Sequence, residues 1–276
     1  MEEDKKVMGL LPASFYENSG VTTLFPSTLS LSVLGEKKRK KKRIKEFNLA
    51  GKIFRITASP DHRIVTGVEG ENVHRLSSIH LSKLLQVVGG EKMLQTATRW
   101  LCAVLGNILL QHPVVATTGN RVEMPNFVFA LGGAKLMASV VASSLSGCWN
   151  VGKQEETIIP WVALRKVTNA HGQLMEFRLN DEDQHYGPLL RKNRGNIFAI
   201  VFDDAALTTR SLVLAKEFSD QLGINIIGAL VLFNQHGLKW PHVNIPVKVA
   251  LANLPFQQYN DSDCPVCNSK KRRKRG

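Results

Sequence analysis

Two unbroken apolar runs, Asn196 to Phe202 (NIFAIVF) and Ile224 to Phe233 (INIIGALVLF), flank a stretch from Thr208 to Leu222 that is amphipathic at helical spacing. A strand without polar alternation has no solvent face, so both of its faces need cover. Two such strands joined through a helix run in the same direction, since reversal would take only a short hairpin. The segment therefore predicts an α/β architecture, a mainly parallel sheet flanked by helices. Sheets of this kind hold their ligands outside the carboxyl ends of the strands.

The rest of the chain extends the same alternation. Lys52 to Thr57 and Arg63 to Val68 read as strands separated by the Ser59-Pro60-Asp61 turn. Ser78 to Val88 and Glu91 to Gln111 carry apolar residues at three- and four-residue spacing and read as helices. Val114 to Thr117, Asn126 to Leu131, Ile158 to Lys166 and Leu174 to Phe177 read as strands, and Gly132-Gly133 leads into a helix over Ala134 to Leu145. Three regions follow: an extension over residues 1–46 with no sustained period, a main domain over 47–255 with a small N-terminal hood, and a tail over 256–276.

The formal net charge is +13, and it sits in two places: Lys37 to Arg43 and Lys270 to Arg275, which together carry thirteen basic residues. The remainder of the chain is neutral. Blocks of like charge repel and stay solvated, so they read as tails able to bind a polyanion in a salt-sensitive, sequence-independent way. The longest late apolar run, Ile224 to Phe233, has ten residues, about half of what a bilayer-spanning helix needs. No membrane role is expected. The first residues (MEEDKK) are acidic, and no secretory leader is read from them. A cytoplasmic location is expected, or a nuclear one in a eukaryote on account of the basic runs. Four cysteines in 276 residues exclude a disulfide-built scaffold.

The segment Ala199 to Leu212 (AIVFDDAALTTRSL) carries the most chemistry. An apolar strand delivers two adjacent carboxylates, Asp203 and Asp204, and a hydroxyl-bearing turn of Thr208, Thr209 and Ser211 opens the next helix. Paired acids accept hydrogen bonds from vicinal hydroxyls or hold a hydrated cation, and helix-start amides suit a phosphate. The blander alternative is that Asp204 and Thr208 only cap the helix.

This segment resembles the phosphoribosyl pyrophosphate motif of type I phosphoribosyltransferases: an apolar strand, two acids, and a Thr- and Gly-rich turn before a helix. Arg165-Lys166-Val-Thr-Asn-Ala-His171-Gly172 is similar to the mobile loop of the orotate branch, and Gly132-Gly133 stands where the family has a strand-to-helix loop near the pyrophosphate. The resemblance covers roughly residues 50–255. It implies transfer of a 5-phosphoribosyl group from phosphoribosyl pyrophosphate, with Mg2+, to a pyrimidine base such as orotate, by a homodimer. It also implies that Asp203 and Asp204 bind the ribose hydroxyls, that Thr208, Thr209, Arg210 and Ser211 hold the 5-phosphate, and that Arg165, Lys166 and His171 close over the pyrophosphate. Two departures stand out. The family's Thr-Thr-Gly-Gly-Ser is Leu207-Thr208-Thr209-Arg210-Ser211 here, so both glycines are replaced, and the second loop lysine is Asn169. A binding or regulatory protein on the same fold, without turnover, is the alternative they favour.

Cys264-Pro265-Val266-Cys267 has the spacing of a zinc knuckle but supplies only half a site. Cys102, Cys148, His236 and His242 are the partners considered for it, and a free pair of thiols is the alternative.

Overall fold

The structure is a computed structural model, and it describes residues 22–25, 30–32, 43–49, 52–58, 62–75, 90–112, 114–115, 119, 121–122, 124–149, 158–236, 240, 242–253 and 258–268. The helix expected over Ser78 to Val88 and nearly all of both basic runs lie outside these residues; Arg43 opens a strand.

The strands in chain order are β1 (Thr22–Phe25), β2 (Ser30–Ser32), β3 (Arg43–Leu49), β4 (Lys52–Ala58), β5 (Arg63–Thr66), β6 (Asn72–Arg75), β7 (Val114–Val115), β8 (Arg121–Val122), β9 (Phe127–Leu131), β10 (Trp161–Thr168), β11 (Leu174–Leu179), β12 (Phe198–Ala206), β13 (Asn225–Asn234), β14 (Val247–Asn253) and β15 (Gln258–Tyr259). The main helices are α1 (Gly90–Gln111), α2 (Ala138–Trp149), α3 (Tyr186–Lys192) and α4 (Arg210–Leu222). A 3-10 turn over Gly132–Met137 precedes α2.

Seven strands form the main sheet in the order β1-β14-β13-β12-β9-β10-β11. Every neighbouring pair is parallel except β10 and β11, which form an antiparallel hairpin at one edge. The expected α/β sheet is therefore present. Side-chain alternation along β12 supplies both cores. Ile200 and Phe202 pack with α1 and α2 through Leu101, Leu105 and Val141, whereas Ala199 and Val201 pack with α4 through Leu212 and Ala215. All of these side chains are buried. Each contributes roughly 1 to 3 kcal/mol by leaving water, which explains why the central strands tolerate no polar alternation.

Three features differ from expectation. The acids lie inside β12, which continues to Ala206, because Asp203, Ala205 and Ala206 keep pairing with Val231, Phe233 and Asn234 of the ten-residue β13. β1 adds a parallel strand beside β14 from within the region read as an extension. The apolar stretch at Val114 makes a two-residue ribbon with β8 outside the main sheet. A second, three-stranded sheet, β15-β6-β5, joins the tail to the region around residue 70. Among the described residues, no helix is long and apolar enough to cross a membrane.

Candidate functional site

The chain leaves β9 towards β10 on one side, whereas β12 leads to β13 on the other. Where connections diverge in this way, a crevice opens between the carboxyl ends of the two central strands. Register aligns the two ends, Asp203 lying opposite Leu131. Gly132 follows with φ +51, and there a Cβ would stand 3.0 Å from Lys166 Cε and 3.3 Å from its Nζ. At Gly133 a Cβ would stand 2.9 Å from Asp204 Oδ2. The two glycines thus leave the room into which a lysine ammonium from β10 and a carboxylate from β12 reach, so residues far apart in sequence meet over one turn.

Asp203 is 2% exposed and accepts a 2.7 Å hydrogen bond from Ser211 Oγ at the start of α4. Burial, and then the neighbouring Asp204 charge, push its carboxyl up from 3.8 to about 7, against the pull of Lys166 and of Ser211. The ionised form is disfavoured because the protein supplies less polarisation than the water it replaces. A carboxyl poised near neutrality at the end of a buried strand is a costly feature, and such features cluster at functional sites.

The turn that follows is strained. Thr209 has φ 62, a left-handed conformation that costs a β-branched residue on the order of 1 to 3 kcal/mol. It is fully buried, it does not cap α4 with its side chain, and its Oγ1 has no hydrogen-bond partner. The backbone there has the left-handed conformation that glycine adopts freely, although the residue is threonine.

Other side chains of the turn are engaged with the region around β5 and β6. Thr208 Oγ1 donates to Thr66 O at 2.9 Å. The Arg210 guanidinium donates to Leu174 O of β11 at 3.0 Å and to Val68 O of the β5–β6 turn at 2.9 Å, so it clasps backbone carbonyls instead of standing free for a phosphate. From β6, Arg75 donates to Leu207 O at 2.8 Å and to Gln235 O at 3.1 Å. Arg75 is 1% exposed, and burial lowers its guanidinium to about 10. The small sheet therefore clamps the turn from one side.

The segment from Arg165 to Gly172 forms the end of β10 and its turn into β11. Arg165 and Lys166 pair with Arg178 and Phe177 inside the β10–β11 ladder. Asn169 closes the turn: its Oδ1 accepts from the amides of His171 and Gln173 at 3.0 and 2.9 Å, and its Nδ2 donates to Gln173 Oε1 at 2.8 Å. Gly172, at φ +75, supplies the left-handed residue. Strand alternation sends Lys166 towards the glycine turn, while Arg165 pairs with Asp181 at 3.2 Å on the surface. His171 is exposed at the hairpin tip.

Cys264 and Cys267 stand beside His62 and His74. None of Cys102, Cys148, His236 or His242 belongs to that group: Cys102 is buried in α1 near Val141 O, and His236 Nδ1 faces Gln258. Sequence reading missed Arg75, His62 and His74. An isolated arginine carries no mark of burial, and His62, just before β5, meets His74 of β6 only through the pairing of the two strands.

No protein-family model matches the chain, and no curated protein is similar to it in sequence. Among solved structures, the orotate phosphoribosyltransferase from Aeropyrum pernix is similar at 18% identity and TM-score 0.40, over 70% of this chain and 86% of that one. The adenine phosphoribosyltransferase from Trypanosoma brucei, solved with AMP, pyrophosphate and ribose-5-phosphate, gives 12% identity and TM-score 0.41, over 74% and 80%. The adenine enzyme from Giardia lamblia, with 9-deazaadenine, gives 14% and 0.40, over 70% and 93%.

Proposed function

We propose that the crevice binds phosphoribosyl pyrophosphate and that the protein transfers the phosphoribosyl group to a nucleobase. The observation that carries this is the meeting of Lys166 and Asp204 over Gly132-Gly133, beside an Asp203 poised near neutrality. Each group has work suited to its chemistry. Asp203 and Asp204 accept hydrogen bonds from the ribose diol, and Lys166 donates to the leaving pyrophosphate as the C1′–O bond breaks and the C1′–N bond to the base forms. The amides at the start of α4 face the 5-phosphate.

Magnesium, expected with this donor, fits the half-buried Asp204 carboxylate, an oxygen ligand of the kind hard cations take. When bound it neutralises charge on the pyrophosphate. A pyrimidine acceptor such as orotate is proposed from the Arg165 to Gly172 match alone. The basic runs are proposed to add salt-sensitive polyanion binding.

Binding without turnover is the alternative, favoured by one observation: Thr208 and Arg210 are already committed to Thr66 and Val68. Release of pyrophosphate from the donor, measured against a panel of pyrimidine and purine bases, separates the two. Base-dependent release supports the transferase; saturable donor binding with no release for any base supports the alternative.

A further inference from the structure

Four potential metal ligands from opposite ends of the chain meet at one point. His62 precedes β5, His74 lies in β6 across from Ile64, and the hairpin brings their rings together with centroids 5.1 Å apart. The segment after β15 places Cys264 and Cys267 on one turn of helix, closed by Asn268 N–H donating to Cys264 O at 3.0 Å. The four ligand atoms all lie within 4.8 Å of one another.

The contacts converge in a way that hydrogen bonding does not satisfy. His62 Nε2 lies 2.9 Å from His74 Nδ1, 3.3 Å from Cys264 Sγ and 3.6 Å from Cys267 Sγ, and His74 Nδ1 lies 3.4 Å from Cys267 Sγ. An imidazole nitrogen carries either one proton or one lone pair, so Nε2 makes at most one good hydrogen bond to these three neighbours. A cation at the centre satisfies all four atoms together. With zinc bonds of about 2.3 Å to sulfur and about 2.0 to 2.1 Å to nitrogen, tetrahedral geometry separates sulfur from nitrogen by about 3.5 Å and nitrogen from nitrogen by about 3.3 Å. The three S···N distances match the first value, and the 2.9 Å between the imidazole nitrogens has to open by a few tenths of an ångström to admit the metal.

The surroundings are built for the same purpose. His74 is 2% exposed, and its other nitrogen, Nε2, lies 2.5 Å from Asp261 Oδ1. A carboxylate that accepts a hydrogen bond from Nε2–H keeps the proton on that nitrogen and leaves the Nδ1 lone pair directed at the cluster, as the outer carboxylates of histidine–zinc sites do. Cys264 is wholly buried.

We propose that His62, His74, Cys264 and Cys267 form a structural zinc site that fastens the C-terminal segment to the small sheet. Two thiolates and two imidazoles in a closed tetrahedral set, with no position left for substrate, select zinc over magnesium or calcium. On binding, the metal displaces the two thiol protons to solvent. The site also acts at a distance: Arg75, next to His74, holds the Leu207 carbonyl of the proposed donor turn. The Lys270 to Arg275 run begins three residues after Cys267, so the metal fixes the root of the basic tail.

The test uses the full chain expressed with zinc supplementation. Elemental analysis is expected to find one zinc per chain. Cobalt substitution is expected to give tetrahedral d–d bands together with a thiolate-to-cobalt charge-transfer band. Cys264→Ser with Cys267→Ser is expected to abolish both signals, while Cys148→Ser keeps them. Asp261→Asn, which removes no ligand, is expected to keep the stoichiometry and weaken zinc about 10- to 100-fold against a chromophoric chelator. That variant decides the matter if the double cysteine variant does not fold. Wild-type protein without stoichiometric metal, metal retained without the two cysteines, unchanged affinity in Asp261→Asn, or a Cys264–Cys267 disulfide in freshly prepared protein would each overturn the site.

Discussion

Replacing Asp203 by asparagine is expected to stabilise the protein above neutral pH. The native carboxyl titrates at about 7, whereas its ordinary value is 3.8. Because the folded state holds this proton more tightly than the unfolded state, raising the pH through that window costs stability, and the loss is complete above the folded value. A shift of about three units at 1.36 kcal/mol each gives roughly 4 kcal/mol as a ceiling. Asparagine carries no proton to lose and still offers Ser211 Oγ an amide oxygen. At pH 8 the variant is expected to be more stable by about 2 to 4 kcal/mol, and near pH 4 the two proteins should be indistinguishable. Urea denaturation at pH 4, 6 and 8 measures this through the midpoints, with the slope checked for constancy. If the variant were less stable at pH 8, Asp203 would be a structural partner of Ser211 at the start of α4 and not a strained functional acid.

Gly132→Ala, at φ +51 and 3.0 Å from Lys166 Cε, is expected to cost about 1 to 2 kcal/mol of stability and to displace the ammonium; thermal melts and pyrophosphate affinity check both. Gly133→Ala, 2.9 Å from the movable Asp204 carboxylate, is expected to cost less than about 1 kcal/mol while weakening donor binding, a split a purely structural glycine would not show. Arg75→Ala takes the guanidinium donor from the Leu207 and Gln235 carbonyls and opens a cavity behind the turn, and is expected to cost about 3 kcal/mol; Arg75→Lys should not restore it, because a compact ammonium lacks the fork.

The sheet was legible where burial on two faces leaves a mark in sequence. β12, β13 and α4 came from continuous apolarity and helical spacing, and the acids were conspicuous because they interrupt such a run. β14 was not read, since Lys248 breaks its apolar pattern; that lysine reaches back to Val243 O and Ile245 O. α3 was missed because Gly187-Pro188 in its first turn reads as a break, although proline is well tolerated there. The polar turn between β10 and β11 was legible as a break between two strands, but its closure was not, because the contacts of the Asn169 amide with His171 and Gln173 leave no pattern in the sequence. The clamp of Arg75 and the His62–His74 pair depends on tertiary contacts, Arg75 reaching 160 positions along the chain to Gln235, and such contacts have no local signature.

The crevice over Gly132-Gly133 is proposed to hold phosphoribosyl pyrophosphate through Asp204 and Lys166. Calorimetric titration of the wild type, Asp204→Asn and Lys166→Ala with that donor and magnesium decides the point. Saturable binding by the wild type is expected, weakened in each variant by about 1.5 to 3 kcal/mol, or roughly 10- to 150-fold, for the loss of a charge-assisted hydrogen bond. No binding by the wild type, or equal affinity in all three proteins, would contradict it.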